Sequence, residues 1–219
     1  MRIACVTGLR YPEVVDDRGL DILTTMLRDR GVGLILLLGD VIARPELGLL
    51  EYVVSEIVER VEAGVAVVPG SCEASVPGGE LRSSWDVLRE VSLVVRRAGG
   101  HPLHEEPMVT DGVGVLGVPV LLGGGCNGGV ESWGLPRDLL EEIWAGRLLR
   151  HYKLLLEEYA PRRLVVAVYE SRRSLESLVR LAAVSLAALD SRVAAIVSNV
   201  GGEGVMECGE ALHPLILDA

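Results

Sequence analysis

Three carboxylates stand just past apolar runs of the chain. Asp40 follows residues 34–38, Glu73 follows 65–68, and Glu170 ends 164–169. Side chains delivered at strand ends of an α/β sheet meet in a crevice, so these acids are the first candidates for chemistry. Carboxylates gathered there hold a divalent cation or pair with a guanidinium. Arg10 follows the first apolar run, and Arg172-Arg173 follow the one that carries Tyr169. Forked guanidinium groups either neutralise such carboxylates or bind a phosphate. Cys72 lies between Ser71 and Glu73. With Cys126, Asp40, Glu73 and Glu170 it would make a thiolate–carboxylate set that suits zinc.

Several other motifs fail on context. Gly112-Val113-Gly114-Val115-Leu116-Gly117 matches G-x-G-x-x-G, but Pro119 and β-prone residues follow where a helix should start. The sole lysine, Lys153, sits in a long helical stretch, which excludes a P-loop. No G-x-S-x-G elbow occurs. His101 and His104 have the spacing of a metal pair, yet Pro102 stands between them and the segment reads as a loop. A solvated or core-lining role is expected for both. The cysteines at 5, 72, 126 and 208 form no C-x-x-C, and buried reduced thiols are expected. The glycine stretches 123–129 and 201–204 either line the crevice with backbone N–H groups or are plain turns.

The elements that must position these residues alternate. Strands are expected at 2–7, 34–38, 65–68, 164–169 and 194–198. Amphipathic helices are expected at 17–30, 47–62, 84–97, 136–159 and 174–189, the last with Ser174 as N-cap and Glu176 in its first turn. Strand and helix in turn signal a parallel sheet with helical crossovers. Residues 108–122 read instead as hairpins, which makes the sheets mixed, and 205–217 supply two short terminal strands.

With 219 residues, 49% hydrophobic and 24% charged, the chain suits one globular α/β domain, 1–219. A net charge of −10 disfavours nonspecific nucleic-acid binding, which draws on basic residues. Glutamine is absent and asparagine occurs only at 127 and 199. Loss of thermolabile amides points to a thermophile, although GC-rich coding would also favour arginine over lysine. No secretory signal and no membrane-spanning run is visible, so a cytoplasmic protein without membrane contact is expected.

In order and spacing, Gly39-Asp40 and Pro69-Gly70-Ser71-Cys72-Glu73 resemble the "GD" and "GNH-[DE]" blocks of the calcineurin-like metallophosphoesterases. The resemblance extends over nearly the whole chain. It implies a four-layer α/β/β/α sandwich with mixed sheets, and in working members a two-metal centre that activates a hydroxide. The ligand positions are largely replaced. Gly8 stands where the family has Asp, and Arg10 where it has His. Ser71 replaces Asn and Cys72 replaces His, while Glu73 keeps its acidic character. Tyr169-Glu170 stand where a His is expected, and Asn199 opens a segment without the family's Gly-His-x-His. Asp40 is the only retained ligand position. The expectation is a catalytically degenerate protein with a binding or scaffold role, without a metal cofactor. Its partner would be another protein or a second copy, and its ligand a small phosphate-bearing molecule. Two alternatives stand beside it. One is a phosphate mono- or diester hydrolase with a rearranged Mn, Fe or Zn site. The other is an anion or nucleotide sensor built on Arg10, Arg172, Arg173 and the glycine loops. Within the vestigial site an Arg10–Asp40 salt bridge is expected, against an Arg10 that points to solvent while Asp40 caps its turn.

Overall fold

The structure, a computed structural model, describes residues 1–171, 177–200, 205–210 and 213–219. The chain runs β1 (Arg2–Thr7), α1 (Asp17–Asp29), β2 (Leu34–Leu38), α2 (Leu47–Arg60), β3 (Gly64–Val68), α3 (Ser71–Ala74), β4 (Val76–Pro77) and α4 (Ser84–Arg97). It continues through β5 (His101–Pro102), β6 (Met108–Thr110), β7 (Val113–Val120), β8 (Gly125–Cys126), β9 (Gly129–Val130) and α5 (Arg137–Glu158). It ends with β10 (Arg163–Glu170), α6 (Leu178–Leu189), β11 (Val193–Ser198), β12 (Met206–Glu207), β13 (Gly209–Glu210) and β14 (Leu215–Asp218).

Side chains alternate across a strand, and β2 shows how that builds layers. Ile35 and Leu37 pack with Leu20, Leu23 and Leu27 of α1, Val53 and Ile57 of α2, and Val91 and Val95 of α4. Leu34, Leu36 and Leu38 turn the other way, into a core shared with Val115 and Val118 of β7 and Val166 and Val168 of β10. A strand buried on both faces reads as an unbroken apolar run, as LILLL does. The first sheet has the order β13-β1-β2-β3-β5, with β14 antiparallel on β1. The second has the order β12-β11-β10-β7-β6. Its outer face carries α5 and α6, whose Trp144, Leu148, Leu155, Val179 and Ala183 complete the core. The result is a mixed α/β sandwich: helices, sheet, sheet, helices.

Two local sequences explain how the sheets meet. Asp111 and Gly112, both at positive φ (50° and 78°), form the two-residue turn between the antiparallel β6 and β7, as an Asp-Gly hairpin requires. At Gly117 a Cβ would sit 2.6 Å from Leu103 Cβ and Val68 Cγ2, so only glycine lets β7 close on the first sheet.

Several expectations need correction. The glycine stretch 123–129, expected to line the crevice or to form a turn, carries β8, its turn and the start of β9 in a hairpin that joins β4 in a small third sheet. Gly125, Cys126 and Asn127 do line the crevice. The terminal segment supplies three short strands, because β13 and β14 both add to β1. Helix α6 starts at Leu178 with Ser177 as its cap; Ser174 and Glu176 lie outside the described residues. Cys5 and Cys208 are joined by a disulfide with Cα atoms 5.2 Å apart, not left as reduced thiols. β13 lies parallel to β1, and that pairing brings the two cysteines together from sequence positions 203 residues apart. No helix among the described residues is long and apolar enough to cross a membrane.

Candidate functional site

The C-terminal ends of β1, β2, β3 and β10 converge on one cavity of about 440 Å³. Arg10, Asp40, Ser71, Cys72, Tyr169 and Ser171 line it, and Gly125, Cys126 and Asn127 of the β8–β9 hairpin wall one side. Arg10, Asp40, Ser71, Cys72 and Tyr169, singled out from sequence, thus come together in one place. Ser171 was missed, since a lone serine after a strand carries no signal of its own.

The backbone here is strained. Gly8 (φ 66°), Arg10 (φ 44°), Gly39 (φ 67°) and Asp40 (φ 51°) all adopt left-handed conformations, two of them without the freedom of glycine. Arg10 N donates to Asp40 O at 2.8 Å, so the two turns brace each other. Strain of this kind is held at functional sites by a surrounding structure that over-determines it. The glycines have steric causes too. A Cβ on Gly39 would lie 2.0 Å from the Tyr169 ring, and one on Gly70 would lie 2.4 Å from Asp40 N.

Asp40 does not pair with Arg10. No ion pair joins them, and the Arg10 side chain is exposed. Exposed, Arg10 follows the alternative in which it points to solvent, and a bond to a half-buried acid would cost it water it keeps. Instead Tyr169 Oη donates to Asp40 Oδ2 at 3.0 Å, and the Ser71 amide donates to Tyr169 Oη at 3.4 Å. Burial raises the Asp40 pKa; the Tyr169 hydrogen bond, the nearby Cys72 and Ser71 backbone and the Arg10 charge pull it partway back. Burial likewise pushes the Tyr169 hydroxyl up, aided by the Asp40 charge, so it stays a donor.

Glu73 is fully enclosed. Its carboxylate accepts from Gly70 N (2.7 Å), Ile42 N (2.9 Å) and Asp40 N (3.1 Å). It is a clip between the loops after β2 and β3, not a wall of the cavity. Burial, with the Asp40 charge, lifts its pKa to about 7, while the backbone donors oppose the rise.

Glu170 and Asn199 also leave the cavity. Glu170 points to the α6 layer, where Arg180 pairs with it and Ser177 Oγ donates at 2.8 Å. The Asn199 amide brackets the Glu170 backbone, accepting from its N–H at 2.7 Å and donating to its carbonyl at 3.0 Å. Arg180 was missed by sequence reading. Its signal was present: it is the only charged residue in LVRLAAVSLAAL, a helix whose other residues are apolar apart from Ser185. Arg172, Arg173 and 201–204 lie outside the described residues.

Cys72 is buried and Cys126 half-exposed, and the two thiols line the same cavity. The neighbouring Cys72 thiol, with the Ser75 hydroxyl, lowers the Cys126 pKa; Cys126, with burial, raises that of Cys72. A two-metal centre does not fit these residues. Gly8 offers no ligand atom, Glu73 is spent on backbone amides, Glu170 faces away, and Asp40 is occupied by Tyr169. Among the described residues no group of three or more His, Cys, Asp or Glu is arranged to hold a metal ion. The histidines lie elsewhere. His104 and His151 line a separate cleft of about 730 Å³ between α4 and α5, where burial depresses both pKa values to about 4.

No family model matches the chain, and no curated protein matches it. Solved structures do. TT1561 of Thermus thermophilus aligns with a TM-score of 0.57 and 16% identity, over 90% of this chain and 80% of that one. GAP50, the anchor in the inner membrane complex of Plasmodium, aligns with a TM-score of 0.53 and 12% identity, over 90% of this chain and 65% of its own. At such identities the likeness is one of fold, a mixed α/β sandwich kept over nearly all of this chain.

Proposed function

We propose that the protein is a catalytically degenerate member of the calcineurin-like metallophosphoesterase type, and that it binds a small phosphate-bearing ligand without hydrolysing it. The observation that carries this reading is the Tyr169–Asp40 hydrogen bond. The one carboxylate left from the ligand set has a neutral protein donor on one of its two oxygens. The cavity still offers an anion what it seeks. Arg10 supplies a permanent charge unspent on any described ion pair, and Ser71, Ser171 and Asn127 supply hydrogen bonds. An anchoring role on this overall fold has a parallel in GAP50 by its description. That parallel supports binding as a use of the frame.

The test pairs two assays on purified protein. A thermal-shift titration with inorganic phosphate and nucleoside monophosphates should raise the unfolding temperature, because a ligand held only by the native state stabilises it. Arg10→Ala should abolish that rise. Hydrolysis of a chromogenic phosphodiester in manganese should stay at the level of buffer. Turnover lost in Asp40→Asn would sink the reading.

A further inference from the structure

The two free thiols meet across the cavity wall from different elements. Cys72 is in α3, just past β3, and Cys126 is in β8 of the hairpin. Both line the same cavity, near enough that each perturbs the ionisation of the other. Their environments are unequal. Cys126 is half-exposed and within reach of solvent, whereas Cys72 is only 3% exposed. An accessible thiol backed by a buried one is the arrangement that thiol–disulfide exchange needs: one sulfur to attack, another to resolve. The groups that face the pair come from several elements. Ser75, whose hydroxyl donates to the Ser71 carbonyl at 2.6 Å, favours ionisation of Cys126, Asp40 and Glu73 oppose it, and Arg10 lines the same cavity.

We propose that Cys126 and Cys72 are a thiol–disulfide exchange site whose substrate is a low-molecular-weight disulfide. In the first step the Cys126 sulfur, as thiolate, attacks one sulfur of RS–SR. A Cys126–S–S–R bond forms, the RS–SR bond breaks, and RS⁻ leaves and takes a proton. In the second step Cys72 gives up its proton and attacks Cys126 Sγ. The mixed bond breaks and a second RSH leaves. The two cysteines lose two electrons and two protons, and one disulfide becomes two thiols. The product ties the loop after β3 to the β8–β9 hairpin and so fixes the cavity wall beside Asp40. Any change in ligand access that follows rests on the phosphate-binding reading; the exchange itself does not.

The test treats native protein with the chromogenic aryl disulfide 5,5′-dithiobis(2-nitrobenzoate) and follows thiol release and the mass of the product. Wild type should release two aryl thiols per chain and end as a Cys72–Cys126 disulfide with no adduct. Cys72→Ser should release one and retain the adduct on Cys126. Cys126→Ser should release none on the same time scale, because Cys72 is buried. A stable adduct on wild type would overturn the proposal, as would rapid reaction of Cys126→Ser. Phosphate-induced thermal shift, measured on reduced and oxidised protein, then reads the effect on the cavity separately. Loss of that shift in both forms would count against phosphate binding and leave the exchange result standing.

Discussion

Tyr169 and Glu170 are neighbours on β10 and face opposite layers, and each settles a carboxylate in its own way. On the inner side Tyr169 gives Asp40 a neutral hydroxyl, next to a cavity that ligands can enter. On the outer side Glu170 meets Arg180 and Ser177 in a closed cluster, with the Glu170 and Arg180 side chains 1% and 9% exposed. The difference is one of purpose. A closed ion pair spends its charges on each other and holds α6 to the sheet. The open arrangement leaves Arg10 outside every described ion pair, while burial raises the Asp40 pKa and the Tyr169 bond opposes the rise.

The largest effect should come from breaking the closed side. Arg180→Met leaves Glu170 buried without its cation and should cost about 3–5 kcal/mol in urea unfolding. Adding Glu170→Leu should recover most of the loss, because the desolvation is then removed with the charge. Failure of that rescue would mean that Arg180 acts through its bond to the Val200 carbonyl instead.

Glu73→Gln comes next, at about 2–3 kcal/mol, since an amide nitrogen would then confront at least one of three backbone donors. It should also flatten a pH dependence. Between its ordinary 4.5 and the folded value of about 7, Glu73 keeps in the folded chain a proton that the unfolded chain releases. Its contribution is therefore complete below pH 4.5 and is lost as pH rises through 7. Urea midpoints across that window would fall with pH in wild type and change less in the variant.

Tyr169→Phe should cost less, about 1–2 kcal/mol, because cavity water can reach the half-buried Asp40 in place of the hydroxyl. It should also raise the Asp40 pKa further, since the Tyr169 bond now lowers it; carbon-detected NMR of the carboxyl would read the change. Arg10→Ala should move stability by no more than about 0.5 kcal/mol, as an exposed side chain outside every described ion pair, yet remove phosphate binding. Of the four, it separates function from stability most cleanly.

Much of the fold was legible because apolar runs and helical periodicity survive the loss of chemistry. Strand 2–7 and helix 84–97 fall where the sequence places them. The cavity's members were legible for the same reason, since strand ends converge whatever side chains they carry. Their pairings were not. Alternation along β10 decides that Tyr169, not Glu170, faces Asp40, and a one-residue ambiguity in strand phase hides that from sequence. The Cys5–Cys208 bond was hidden because it depends on β13 and β14 flanking β1, a pairing that such short strands do not encode in their pattern. Arg10 drew attention by its charge, whereas its left-handed backbone and exposure are set by the turn it shares with Asp40.

In the proposed reading, the Tyr169 hydroxyl on Asp40 stands in for a cation. Metal content measured after equilibration with excess manganese and zinc, followed by dialysis, tests it most directly. The account predicts far less than one ion per chain, with no difference between wild type and Asp40→Asn. One or two ions per chain in wild type, lost in Asp40→Asn, would contradict it.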